Sequence, residues 1–81
     1  MRLDKFLKVC RIIKRRTVAN EVSDAGRVLV NNIEKKPSYS VKKGDIIETK
    51  IYDKSIKVKV IEVPDKNLKK EDIENYIEII G

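Results

Sequence analysis

The chain contains no histidine and no tryptophan, one cysteine (Cys10), one phenylalanine (Phe6), three glycines and two prolines in 81 residues. Without histidine and with a single thiol, zinc sites built on thiolate and imidazole are excluded, and no disulfide framework closes within the chain. Gly26, Gly44 and Gly81 stand too far apart for a phosphate-cradling loop, and none precedes a Lys-Thr or Lys-Ser pair at P-loop spacing. Acids are plentiful, but a pair such as Glu71 and Asp72 stands beside lysines and reads as solvated surface, not as acid–base machinery. No catalytic residue, metal or cofactor is expected. Nor does any apolar run approach the roughly 18 residues of a membrane span. Met1-Arg2-Leu3-Asp4 leads into alternating charges, unlike the apolar core of a signal peptide, so the expected setting is the reducing cytoplasm with no membrane partner.

What the chain has in excess is positive charge, and it has it in one place. Residues 1–20 carry seven basic side chains (Arg2, Lys5, Lys8, Arg11, Lys14, Arg15, Arg16) against the single acid Asp4. Residues 21–81 carry twelve of each sign, so the whole net charge of +6 lies in the first quarter of the chain. A solvated face normally mixes signs. One-sided clustering is the footprint of a polyanionic partner, nucleic acid before membrane.

Leu3, Phe6, Leu7 and Cys10 recur at the spacing of one helical face and predict a short amphipathic helix with Arg2, Lys5 and Lys8 outside it. Cys10 on that stripe is a packing residue. Ile12 and Ile13 follow as apolar anchors, and after the run Lys14-Arg15-Arg16 the hydroxyl of Thr17 is placed to cap a second helix. Val18, Val22 and Ala25 form its expected buried stripe, and Gly26 its left-handed stop. From Arg27 the period changes to that of strands. Val28-Leu29-Val30, the turn formers Asn31-Asn32 and Ile33 predict a hairpin. Lys42-Lys43-Gly44-Asp45 turns into a strand over residues 46–51, Tyr52-Asp53-Lys54-Ser55 turns again, and Ile56, Val58 and Val60 alternate with polar neighbours until Pro64. A short helical piece around residues 69–74 and a closing strand complete an α+β fold of two short helices on a small, mainly antiparallel sheet. A chain of this length supports a single core.

The constellation RLDKFLKVCRIIKRRTVANEVSDAGRVLVNN, with the later Val41 and Gly44-Asp45, resembles the RNA-binding module first recognised in small-subunit ribosomal protein S-four. The resemblance covers about residues 1–60 and assigns residues 1–63 to the module and 64–81 to a carboxy-terminal extension packed on or beside it. Its marks are Arg2-Leu3-Asp4 with Phe6-Leu7, Arg15-Arg16-Thr17 with Ala19, and Gly26-Arg27-Val28 running into Val30-Asn31. One departure is Asn32, where the family usually has glycine. Asparagine is the best non-glycine occupant of such a turn. The candidate RNA-binding residues are Arg2, Lys5, Lys8, Arg11, Lys14, Arg15, Arg16, Thr17 and Arg27, with Asp4 an internal organiser that pairs with an arginine or caps the first helix and does not read bases. Phe6 belongs to the core, and Tyr39, Tyr52 and Tyr76 are too scattered for a base-stacking platform, so structured RNA and its backbone are the expected target.

Since the module is almost the whole chain, the sequence is similar to stand-alone bacterial members of the family that serve ribosome-associated quality control. The resemblance implies a monomeric factor that binds large-subunit ribosomal RNA and P-site peptidyl-tRNA while the partner RqcH adds an alanine tail to the stalled chain. Other ribosome-binding roles, namely recycling of stalled large subunits by the heat-shock relatives or ribosome assembly, are the alternative. A fragment of an RNA-modifying enzyme is disfavoured by the missing acid–base set.

Overall fold

The computed structural model describes all 81 residues and orders them as α1 (Leu3–Val9), α2 (Arg16–Asp24), β1 (Val28–Val30), β2 (Ile33–Glu34), β3 (Ile46–Ile51), β4 (Lys54–Val60), a 3-10 helix (Lys70–Asn75) and β5 (Ile77–Ile79). The strands form one antiparallel sheet in the order β2-β1-β3-β4-β5. This is the α+β architecture that the change of period at Arg27 predicts. No helix is long and apolar enough to cross a membrane.

Helix α1 is so short that its stability comes from packing and not from propensity. Leu3, Phe6 and Leu7 are fully buried, Val9 and Cys10 nearly so, and each large side chain taken from water contributes roughly 1.5–3 kcal/mol. Leu3, Phe6, Leu7 and Cys10 share one core with Ala19 of α2 and the inward face of the sheet, Val28 and Val30 of β1, Ile47 of β3 and Val58 and Val60 of β4. Burial pushes the Cys10 thiol up to about 12, so it is neutral at physiological pH and serves as packing, as its place on the stripe suggests.

Every free amide at the start of α1 has a partner, and two of the acceptors come from a distant loop. Leu3 N–H donates to the Tyr39 carbonyl (2.8 Å), Asp4 N–H to that of Pro37 (3.2 Å), Lys5 N–H to the Asp4 carboxylate (2.8 Å) and Phe6 N–H to the Arg2 carbonyl (2.9 Å). The loop is held in turn by the buried Asp45 carboxylate, which accepts from Tyr39 Oη (2.8 Å), Lys42 N–H (2.9 Å) and Asn31 Nδ2 (3.2 Å). Burial, the Asp45 hydrogen bond and the Asp45 charge raise the pKa of Tyr39, which stays a donor. Asn31 Oδ1 accepts from Ile46 N–H (3.0 Å), fastening the hairpin to the loop. That hairpin is the two-residue kind: Asn31 and Asn32 have φ of 53° and 68°, and Val30 faces Ile33.

The structure corrects the reading of α2. The helix begins at Arg16, with Arg15 as its extended flanking residue and no side-chain cap, so Thr17 lies inside the first turn and caps nothing. The buried stripe is Ala19 and Ser23, with Val22 half-buried; Val18 and Ala25 are exposed. Small residues are selected because α2 packs on α1, and the Ser23 hydroxyl is satisfied by donating to the Ala19 carbonyl (2.7 Å). Gly26 (φ 77°) ends the helix as expected. Lys54 and Ser55 belong to β4, which leaves Tyr52-Asp53 as a tight two-residue turn.

One core position breaks the rule that buried polar groups are paired. Thr49 is 1% exposed and its hydroxyl has no hydrogen-bond partner. Replacing it with the isosteric valine removes an unsatisfied group, so Thr49→Val should stabilise the fold by about 1 kcal/mol and raise its melting temperature by roughly 4–8 °C. Calorimetry checks this, and a lower melting temperature would show that the hydroxyl does have a partner in solution.

Candidate nucleic-acid interface

Helix α1 buries five of its seven residues, and the two it exposes are Lys5 and Lys8. With Arg2 they recur every three residues along the outside of the helix, a basic strip left over by the burial of the rest. Arg11, Lys14, Arg15, Arg16 and Thr17 continue this surface through the link and into the first turn of α2, all exposed. Of the candidate cations only Arg2 and Arg16 form ion pairs, and both pair with the same acid.

That acid is Asp4, 3% exposed at the junction of the two helices. Its carboxylate accepts from Arg2 Nε (3.3 Å) and Nη2 (3.4 Å), Arg16 Nη2 (3.5 Å), Asn20 Nδ2 (3.2 Å) and the Lys5 amide (2.8 Å). Arg2 thus spends one edge of its guanidinium and Arg16 a single nitrogen, leaving the remaining N–H groups of both for a ligand. The two side chains are about half exposed, at 51% and 48%. Burial alone would push the Asp4 carboxyl up, but the Asn20 and Lys5 hydrogen bonds, the Arg16 charge and the Arg2 hydrogen bond outweigh it and hold the pKa below 3.8. An ionised carboxylate at this point fixes two guanidinium forks side by side, and a fixed fork is the group that matches phosphate geometry. Of the two roles expected for Asp4, pairing with arginine is met twice over, by Arg2 and Arg16.

Arg27 does not join this group. It lies past the far end of α2, about 13 Å along a nine-residue helix, and its carbonyl accepts from Lys50 N–H (2.9 Å) at the margin of the sheet. Asn20, conversely, is a member that charge counting overlooks. Its signal was the four-residue spacing from Arg16, which puts both on one face of α2.

Both helices close in the same hydrogen-bonded motif with different residues at the left-handed position. At the end of α2 Gly26 N–H donates to the Ser23 carbonyl and Arg27 N–H to that of Val22. At the end of α1 Arg11 N–H donates to the Lys8 carbonyl and Ile12 N–H to that of Leu7, so Arg11 occupies the glycine position at φ 58°. Left-handed backbone costs a residue with a side chain roughly 1–2 kcal/mol, and a cation at a helix carboxy terminus returns only about 0.3–1 kcal/mol. The strain keeps an unpaired guanidinium at the edge of the basic surface.

Residues 1–47 match the family model described as the S4 domain. Over all of its 81 residues the chain is 54% identical to the RQC P-site tRNA stabilizing factor of Streptococcus pneumoniae, covering 91% of that protein. It is 48% identical over 76 residues to the factor of the same name in Bacillus subtilis, covering 94% of this chain and 88% of the relative. Among solved structures it is similar to heat shock protein 15 of Vibrio cholerae, described as trimeric, with a TM-score of 0.89 at 25% identity over 99% of this chain and 81% of that one. The fold is therefore that of an S4-domain protein. More narrowly, the chain belongs to the family of RQC P-site tRNA stabilizing factors.

Two substitutions test the geometry. Asp4→Asn raises the net charge, so attraction set by charge alone would strengthen RNA binding; loss of the fixed arginines should instead weaken it about tenfold and destabilise the fold by roughly 1–3 kcal/mol. Since the folded pKa lies below the unfolded value, the Asp4 contribution is present above that value and vanishes as pH falls through the folded one. Acid titration of the melting temperature in wild type and Asp4→Asn should show the two converging only at the acid end. Arg11→Gly should gain about 0.5–1 kcal/mol of stability by relieving the left-handed strain while losing RNA affinity. A less stable Arg11→Gly protein, or one of unchanged affinity, would contradict the reading of that residue.

Proposed function

We propose that the chain is a non-catalytic RNA-binding factor of bacterial ribosome-associated quality control, acting in the cytoplasm on the large ribosomal subunit that still carries peptidyl-tRNA. In this role it contacts large-subunit ribosomal RNA and the P-site peptidyl-tRNA and steadies the tRNA while RqcH extends the stalled chain with alanine. The observation that carries the reading is the Asp4-held pair of Arg2 and Arg16 at the head of a basic face, in a chain similar along its length to RQC P-site tRNA stabilizing factors. Forks locked in position suit the phosphates of a folded RNA, whose own backbone is fixed, better than those of a flexible strand. Lys5, Lys8, Arg11, Lys14, Arg15 and Thr17 extend the contact, and Arg27 reaches a separate part of the RNA. Arg2, Asp4 and Arg16 come from one chain, and a monomer suffices for the task.

The likeness to heat shock protein 15 supports a second reading, another ribosome-binding role such as recycling of stalled large subunits or ribosome assembly. Co-sedimentation with bare and peptidyl-tRNA-loaded large subunits separates the two. Arg2→Ala and Arg16→Ala should each weaken binding to loaded subunits about tenfold and lower alanine tailing in step, with Arg16→Lys intermediate because it keeps the charge and loses the fork. Lys57 faces Glu48 across the β3–β4 ladder, so Lys57→Ala should be nearly neutral. Equal binding to bare subunits would favour the second reading, and damage from Lys57→Ala equal to that from Arg16→Ala would move the contact surface elsewhere.

A further inference from the structure

At the opposite end of the chain the charge reverses: residues 61–81 carry six acids against three lysines. Here the surface opens into an apolar groove of about 1050 Å³ between the turn after α1, the strands β4 and β5 and the 3-10 helix. Ile56, Val58 and Ile77 line it from the sheet, Ile12 and Ile73 from the turn and the 3-10 helix, and Ile79, 72% exposed, stands at its mouth. Glu71, Glu74 and Glu78 edge the groove against Arg11 and Lys70.

Strand β5 is also one of the two edges of the sheet, β2 being the other. Ile80 N–H donates to the Lys57 carbonyl, and the Tyr76 carbonyl accepts from Ile61 N–H, which sets the phase of the ladder. By the alternation of antiparallel strands, residues 76, 78 and 80 bond to β4, and the backbone groups of Ile77 and Ile79 point outward. Those are the same two residues of β5 whose isoleucine side chains line the groove. Exposed edges are blunted by brevity, charge or proline, and the three-residue β5 has as its only charge Glu78, which repels acidic partners and admits basic ones.

We propose that this edge and groove form a docking site for an extended, lysine- or arginine-rich protein segment with apolar side chains at alternate positions. Added as a sixth strand, such a segment satisfies the free backbone groups of Ile77 and Ile79, lays every second side chain over the groove and sets its cations against Glu71 and Glu74. RNA is a poor occupant, since its phosphates would be desolvated against isoleucines and repelled by the acidic edge. A second copy of the chain brings the same carboxylates to the seam, where like charges oppose. The site lies outside the Asp4 cluster and shares only Arg11 with the basic surface, and the proposal does not rest on the RNA-binding role.

The probes are two synthetic peptides, one alternating valine with lysine and one alternating valine with glutamate, titrated into the isotope-labelled full chain. The valine–lysine peptide should shift the Ile77 and Ile79 amide resonances and slow their hydrogen exchange, and the valine–glutamate peptide should do neither. Ile79→Lys, at an exposed site that tolerates charge, should weaken binding about tenfold or more. The double variant Glu71→Lys, Glu74→Lys should invert the preference between the peptides. Failure of both peptides to bind, equal binding of the two, or shifts confined to the basic face of α1 would overturn the proposal. So would concentration-dependent self-association abolished by Ile79→Lys, which would make the groove an interface between copies.

Discussion

The buried carboxylate of Asp4 is the interaction on which the arrangement of this molecule turns. Taking a charge out of water is costly unless every lone pair finds a donor, and here an amide of its own helix, two guanidiniums and a carboxamide fill the shell. Two of the donors, Arg16 and Asn20, belong to α2, so satisfying the acid also sets how the two helices meet. A negative charge is thus the means by which a positive surface acquires a shape. Arginines on two flexible stems would sample many geometries, and the shared carboxylate leaves them few.

Asp45 does for the frame what Asp4 does for the surface. By gathering Asn31, Tyr39 and the Lys42 amide it joins the β1–β2 hairpin to the loop whose carbonyls receive the first amides of α1. The start of α1 is therefore positioned by residues far along the chain, and with it the placement of Arg2 and Asp4. The paired Asn31 and Gly44-Asp45 marks of the family pattern acquire a physical meaning: they hold the loop that seats the start of α1, where Arg2 and Asp4 stand.

Much of this was legible in the sequence where a local rule decides the outcome. The stripe Leu3, Phe6, Leu7, Cys10 gave α1 its buried face, and Asn31-Asn32 gave the hairpin its turn because both residues must take positive φ. The 3-10 helix and β5 follow the reading of residues 69–81, where β-forming side chains crowd the end. The buried face of α2 lies about one residue in phase from the stripe Val18, Val22, Ala25, because hydrophobicity favours Val18 while close helix packing demands the small Ala19 and Ser23. Arg15 already holds the extended backbone expected of a cap, which leaves Thr17 without that task. The spacing of Asn20 from Arg16 marks a shared face of α2 but not the contact Asn20 makes with Asp4 of the other helix, and the left-handed backbone of Arg11 is an angle that no residue type announces.

The central claim is that Asp4 acts on RNA through Arg2 and Arg16 and not through net charge. A double-mutant cycle measures it directly, comparing the loss of affinity for peptidyl-tRNA-loaded large subunits caused by Asp4→Asn in the wild type and in the Arg2→Ala, Arg16→Ala background. If the carboxylate works by holding the forks, Asp4→Asn weakens binding in the wild type and is neutral or slightly favourable where the forks are gone. Equal and additive losses in both backgrounds would contradict the account.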